Sequence, residues 1–397
     1  MIELLAPAGN LEKLKIAVHY GADAVYIGGK QFSLRARASN FSLADIEEGV
    51  KFAHEHNAKV YVTMNIVPHG EDLEGLSEYL EELERAEVDG IILTSPYYAK
   101  KAKRHAPKLE LHLSTQFSAS NSSTLNFFKE YGFKRAVLAR EVGLHEIALI
   151  RENTDLDLEV FIHGGMCVSY SGRCMLSNHL TNRDANRGGC AHSCRWNYLL
   201  YQAGEEVFPG YFKMGSKDLQ GLRAVPELID LGVKSLKIEG RMKSVYYIAT
   251  VVRVYRMLID EYIKTGKIKD FKFYEEEINK AENRATATGF LYQTAGEDAQ
   301  LYESSTQPTN EFLGIVLDYD EEMGIVTVEE RNYFEVGTEV EFFGPNLSNT
   351  AFFITEMYDE NMEPIAVARH AKQIVKFRVP FRLKPYDMFR KTLLSNV

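Results

Sequence analysis

Four cysteines are the residues best able to do chemistry together, because all of them fall in one stretch with the spacing Cys167-x6-Cys174-x15-Cys190-x3-Cys194. Thiolates bind iron and zinc well, and Gly164, Gly165, Gly172, Gly188 and Gly189 would let the loop fold back so that the four sulfurs converge. Neither half has the Cys-x2-Cys knuckle that presents two sulfurs to one tetrahedral ion. Spacings of six and three are looser and suit a larger object such as a 4Fe-4S cluster, with zinc and uncomplexed thiols as the alternatives. Four unrelated core cysteines would be scattered along the chain instead.

The residues around this loop are polar. His163, just ahead of it, is a candidate catalytic group as proton donor, further ligand or loop anchor, although a lone histidine more often has a structural role. His192 lies between Cys190 and Cys194, where it either donates to a cluster sulfur or faces solvent. Arg173, Arg183, Arg187 and Arg195 give the loop a positive cast that suits phosphate or carboxylate, or simply solvent. Farther on, Ser235-Leu-Lys-Ile-Glu-Gly-Arg241 alternates Lys237, Glu239 and Arg241 on one face of an otherwise buried strand. Buried charges need a partner or a ligand. At a barrel mouth these three would clamp a dicarboxylate or phosphate, with Arg241 bidentate; a structural Lys-Glu-Arg network is the alternative. Weaker binding candidates end other strands: Asn65, Gln116, Arg140 with Glu141, and the cluster Arg35, Arg37 and Asn40 after the second strand. A basic stretch with interleaved aromatics, Lys376 to Lys391, reads equally as an RNA grip or as an edge strand with solvated charges.

These side chains must be positioned by the elements between them. Residues 1 to 265 alternate short β-rich runs with amphipathic stretches, the strands reading Ile2–Leu5, Ala24–Ile27, Val60–Met64, Gly90–Leu93, Leu109–Leu113, Ala136–Leu138, Leu158–Ile162 and Ser235–Ile238. Runs apolar on both faces are those of strands buried between a core and covering helices. Eight βα-like units without a Gly-x-Gly-x-x-Gly turn predict an α/β chain folded as a TIM-like (β/α)8 barrel over residues 1–296, with the cysteine-bearing insert at 164–217 on the catalytic C-terminal face. A helix is expected over Asp218 to Leu231. A polar linker over 297–310 should lead to a small antiparallel β-barrel over 311–397, since short strand-like runs recur there between turn sequences.

Composition excludes several classes. With 45% hydrophobic and 26% charged residues, the 397-residue chain is neither disordered nor collagen-like. No apolar run approaches the roughly 18 residues of a membrane span, and the first residues lack the basic region of a signal peptide, so a cytoplasmic protein with no membrane partner is expected. A reducing cytosol argues against structural disulfides and for a metal or cluster. A net charge of -10 means that any RNA partner needs a local basic patch. His-Glu-x-x-His, Gly-x-Ser-x-Gly and Gly-x4-Gly-Lys-Ser/Thr are absent, which removes the common hydrolase signatures.

The run Glu159-Val-Phe-Ile-His-Gly-Gly-Met-Cys-Val-Ser-Tyr-Ser-Gly-Arg-Cys-Met-Leu-Ser177 resembles the signature of peptidase family U32. So do Glu3-Leu-Leu-Ala-Pro-Ala-Gly-Asn-Leu-Glu12, Ala24-Val-Tyr-Ile-Gly-Gly29, Gly189-Cys-Ala-His-Ser-Cys-Arg-Trp196 and Lys237-Ile-Glu-Gly-Arg241. The length and appended β-domain are similar to the members that support tRNA hydroxylation, formerly described as collagenase-like proteases. That resemblance implies oxygen-independent, prephenate-dependent hydroxylation of the tRNA wobble uridine to 5-hydroxyuridine, with relatives acting on ribosomal RNA or the ubiquinone ring. It implies a 4Fe-4S cluster on Cys167, Cys174, Cys190 and Cys194. On this expectation the cluster sits over the barrel mouth, Lys237 and Arg241 hold prephenate or a similar dicarboxylate, and the C-terminal barrel helps to position tRNA. A partner subunit or a homodimer is a further expectation. Two competing classes are a metal- or thiol-dependent peptidase and a zinc-stabilised RNA-binding protein.

Overall fold

The β-branched and apolar runs named above form strands because each can be buried on both faces, and the structure places them together. The computed structural model describes residues 2–34, 40–207, 210–281, 284–292, 295–301 and 308–393. Eight strands, Glu3–Pro7, Ala24–Gly28, Lys59–Met64, Gly90–Leu93, Glu110–Leu113, Arg135–Val137, Asp157–Gly164 and Ser235–Ile238, pair in parallel in chain order. The last pairs with both the first and the seventh, with Ser235 opposite Glu3 on one side and Glu159 on the other, so the sheet closes into the expected barrel. Helices cover its outside. Leu11–His19 is capped by Asn10, whose side chain accepts from the Lys13 N–H at 3.0 Å, and the long Val245–Thr265 helix is capped by Ser244 and stops at Gly266, φ +71°. Both turn their apolar faces onto the strands, leaving Leu14, Ala17, Ile248 and Val252 fully buried.

One expectation fails after the insert. Asp218 begins a short strand, Asp218–Gln220, and the helix is confined to Val225–Asp230. The strand runs antiparallel to the end of the seventh, with Gln220 opposite His163, and so pins the exit of the cysteine loop beside its entrance.

The C-terminal region has its own core, built on Leu313, Val326, Phe342, Phe377 and Phe389. Its main sheet has six antiparallel strands in the order Leu347–Phe353, Glu339–Gly344, Met388–Thr392, Asn310–Asp320, Ile325–Glu330, Ile374–Arg378, with a two-stranded ribbon of Phe334–Glu335 and Val367–Ala368 beside it. The sheet is bolted to the outer barrel helices rather than to the mouth. Arg253 on the long helix donates to the Gly344 and Leu347 carbonyls at 2.9 and 3.0 Å, and Tyr20 donates to the Tyr386 carbonyl at 2.9 Å. The basic stretch from Lys376 to Lys391 is divided: Arg378 at the end of the edge strand and Arg382 beyond it are exposed, as an edge strand with solvated charges would have them, whereas its last part is buried. Arg390 lies in a central strand at 0% exposure, bonded to Glu277 at 2.9 Å and to Glu341, and Lys391 pairs with Glu311 at 2.9 Å.

Candidate active site at the barrel mouth

A cavity of about 320 Å³ opens at the C-terminal ends of the strands, between the barrel and the cysteine loop. Its wall brings together most of the sequence candidates: Asn65, Gln116, Arg140, Lys237, Glu239, Arg241, Arg195 and all four cysteines. Arg35 and Arg37 lie outside the described residues.

Lys237 belongs to the barrel floor. Its ammonium contacts Glu159 at 2.7 Å and stands over the rings of Tyr26 and Phe161 at 4.4 and 5.4 Å. Burial lowers the Lys237 pKa, with Glu159 opposing. Burial would likewise raise the Glu159 carboxyl, but Lys237, Arg135 and His112 outweigh it and hold it below the usual carboxylate range. Arg135 lies 3.3 Å from Glu159 and pairs in turn with Glu3, so Lys237 is the upper end of a buried chain of alternating charges. Such a chain is stable only when each member is paired. The partner Glu159 was hidden in the sequence only by distance, since its place two residues before Phe161 puts both on the same face of one strand.

Arg241 is likewise engaged. Its guanidinium donates to Ser33 Oγ and Thr63 Oγ1, both at 3.2 Å, and to the Leu34 carbonyl, fastening the loop after the second strand. It crosses Gly28 so closely that a Cβ there would lie 1.9 Å from Nη1, which is why glycine ends that strand. As for the expected Lys237–Arg241 clamp on a dicarboxylate, both cations line the cavity and also contact protein, Lys237 through an ion pair and Arg241 through neutral oxygens. Arg140 is the better placed cation. It stacks on Phe161 at 3.9 Å, and its contact with Glu239, at 3.5 Å, is long. Beside it, Gln116 is buried with no partner for Oε1, and Ser193 and Arg183 line the same cavity with Oγ and Nε also buried and unpartnered. Buried polar atoms without partners mark a place for a polar ligand.

His163 does not take part. It is 1% exposed and packs between Tyr247 and Tyr255, with Nδ1 3.2 Å from the Tyr255 hydroxyl, so it joins the seventh strand to the long helix behind it. Arg173 also acts on backbone: it donates to the Gln116 carbonyl at 2.7 Å and lies over Phe117, tying the insert to the fifth strand's loop.

The cysteine loop is held by specific hydrogen bonds. Ser171, in left-handed backbone at φ +45°, donates its N–H and hydroxyl to Glu141 at 2.6 and 2.5 Å. Asn186, which the sequence did not mark, accepts from the Cys174 N–H at 3.3 Å and donates to its carbonyl at 3.1 Å. Ser177 accepts from the Ala191 N–H at 3.0 Å, beside Cys190. All four thiols are free, with Cys174 buried and Cys190 exposed. Burial pushes the Cys167 and Cys194 thiols up, and the other cysteines add to the effect on each, so the four feel one another's charge. Among the described residues, no group of three or more His, Cys, Asp or Glu side chains has the arrangement that would hold a metal ion.

The model of peptidase family U32 matches residues 9–301, and that of the family's C-terminal domain matches residues 308–390. The chain belongs to peptidase family U32. The two matches abut at the connector between barrel and sheet. Among its relatives, tRNA hydroxylation protein P1 of Bacillus subtilis is 50% identical, covering 98% of this chain and 94% of that one. A 23S rRNA 5-hydroxycytidine synthase of Escherichia coli is 40% identical over 66% of this chain and 40% of its own, and a protein named collagenase in Porphyromonas gingivalis is 30% identical over 97% and 96%.

Proposed function

We propose that this U32 protein is a tRNA-modifying hydroxylase that converts the wobble uridine to 5-hydroxyuridine, using a prephenate-like dicarboxylate and a 4Fe-4S cluster. The observation that carries the reading is that four thiols from one loop roof the same cavity whose wall holds Arg140 and the unpartnered Gln116 amide oxygen. The names of the full-length relatives supply tRNA as the substrate.

The donor set fits an iron-sulfur cluster better than zinc. A zinc knuckle takes two sulfurs from a Cys-x2-Cys turn, which this chain lacks. A cluster spaces its ligands more widely and relieves the mutual repulsion of four thiolates with its iron charge. Cys167, Cys174, Cys190 and Cys194 would hold it, and it would supply electron transfer at the mouth. Arg140, kept flat by Phe161, would take one carboxylate of the small substrate, while Lys237 stays paired with Glu159 on the floor. The peptidase reading, which the collagenase-named relative suggests, needs an activated thiolate. Burial here raises the Cys167 and Cys194 thiols instead, which disfavours these two as the nucleophile.

Mass spectrometry of tRNA nucleosides from a deletion strain tests the function. Loss of 5-hydroxyuridine derivatives, restored by the wild-type gene and not by Cys174→Ser, is expected; unchanged nucleosides would remove the proposal. Anaerobic purification tests the cofactor. A brown protein with iron and sulfide that Cys174→Ser bleaches is expected, and a colourless protein with stoichiometric zinc would sink the cluster.

A further inference from the structure

Asp218 is 0% exposed, yet neither of its carboxylate oxygens has a hydrogen-bond partner. It is surrounded by cations from three separate segments. Arg195 follows the last cysteine, Lys243 lies in the loop after the eighth strand, and Arg284 comes shortly after the Phe271–Asn279 helix; their nitrogens stand 3.8, 3.5 and 3.5 Å from the carboxylate. One negative charge thus faces three positive ones. Among the described residues, none of the three side chains spends a hydrogen bond on protein, and each keeps 23–30% of its surface open. A carboxylate meant only to be neutralised needs one such cation in direct contact. Three at longer range, with donors unspent and each side chain partly open to solvent, form a preorganised anion site whose own carboxylate holds the cations in place.

The location identifies the anion. Arg195 also lines the cavity, so the surplus charge sits on its rim. The neighbouring surface of the insert is aromatic and open, with Trp196, Tyr201 and Tyr211 at 45, 56 and 64% exposure. A small metabolite anion has no use for such a surface, whereas a nucleic acid presents phosphates and stacking faces together. We propose that Arg195, Lys243 and Arg284 form a subsite for one backbone phosphodiester of RNA, held at the rim so that the adjacent nucleotide reaches the cavity, with Trp196 offering a stacking face. This rests on the reading of the chain as an RNA-modifying protein.

Fluorescence anisotropy of full-length protein with unmodified tRNA, over a salt series, tests it. Lys243→Gln and Arg284→Gln should each weaken binding about threefold to tenfold and lower the salt slope by about 0.7–0.9. Arg284→Lys should keep the slope, and Trp196→Ala should weaken binding with the slope unchanged. The melting temperature of Arg284→Gln should hold, because Asp218 keeps two cations. Wild-type slope and affinity in both Gln variants, with a lower melting temperature, would overturn the subsite and make the three cations a structural counter-charge. Loss of self-association in Trp196→Ala, with tRNA affinity intact, would overturn it in favour of a protein interface. A wild-type protein that binds no tRNA defeats the functional reading as well, whereas one that hydroxylates tRNA while both Gln variants bind normally defeats the subsite alone.

Discussion

The cysteine insert and the C-terminal stretch from Lys376 to Lys391 each carry six Lys or Arg residues, yet the fold pairs them with acids to different extents. In the C-terminal stretch four of the six are matched to acids. Arg390 sits between Glu277 and Glu341, Lys391 on Glu311, Arg382 on Glu321 and Arg378 on Glu356. In the insert Arg187 is likewise matched, to Glu71 and Asp72, but Arg183 and Arg195 line a cavity where polar atoms lack partners, and Arg195 shares a single buried carboxylate with two other cations. A basic run becomes a binding feature only when the fold leaves its charge uncompensated. That reasoning favours the barrel mouth over the C-terminal sheet as the place where an anionic substrate meets this protein.

The contrast is easiest to break at Arg390. If this arginine is structural, Arg390→Ala leaves Glu277 and Glu341 with only Lys280 and Arg253 as counter-charges and empties a fully buried site, and chemical denaturation should show a loss of about 3 kcal/mol. A loss below about 1 kcal/mol would return the strand to the class of solvated, available charges.

A smaller effect is expected from pH. Burial raises the Asp387 carboxyl to about 6 in the folded chain, against an ordinary value of 3.8, while Arg390 holds Glu277 near 2 against burial. A carboxyl whose folded pKa is raised binds its proton more tightly folded than unfolded, so it destabilises as pH rises from about 4 to 6. Glu277 acts in the other direction, its stabilisation being lost as pH falls from about 4.5 to 2. Thermal unfolding should therefore show the native state gaining from Asp387 between pH 6 and 4 and losing from Glu277 below that. Asp387→Asn should flatten only the upper window. An unchanged profile in that variant would assign the upper window to other groups.

The smallest change sharpens the comparison most. The double variant Arg378→Gln, Arg382→Gln removes two exposed, paired cations from the C-terminal sheet, and should alter stability by less than about 1 kcal/mol. Measured tRNA affinity should stay within about twofold of wild type. An affinity loss matching that of the rim variants would give the C-terminal sheet an equal share in holding RNA.

Much of the barrel was legible because its signals are local. A parallel strand covered on both faces is a near-continuous apolar run, and all eight were readable from such runs despite single charges such as Arg135, Glu159 and Lys237. The grouping of the cysteines and the alternation of Lys237, Glu239 and Arg241 were equally local, and all of them do reach one cavity. Features that depend on a distant partner were not legible. His163 stands in the most distinctive motif of the chain, yet its environment is set by two tyrosines on a helix more than eighty positions later. The strand at Asp218 is too short and polar to show a period, and exists because the end of the seventh strand offers it backbone partners. Arg390 read as a surface cation because its two acids come from other elements, one of them on a barrel helix.

The sequence by itself therefore determined the barrel, the loop that carries the four thiols and the end of the barrel where that loop lies, since periodicity, spacing and composition are properties of neighbouring residues. The tertiary structure decided which charges are spent and which are left to meet a ligand. Lys237 is neutralised by Glu159 and Arg241 spends donors on oxygens of the loop after the second strand and of the third strand, while Arg140 and the three cations around Asp218 keep hydrogen-bonding capacity. Compensation of a charge is a matter of ångströms in space, and only the closed barrel brings residues so far apart in the chain within that range.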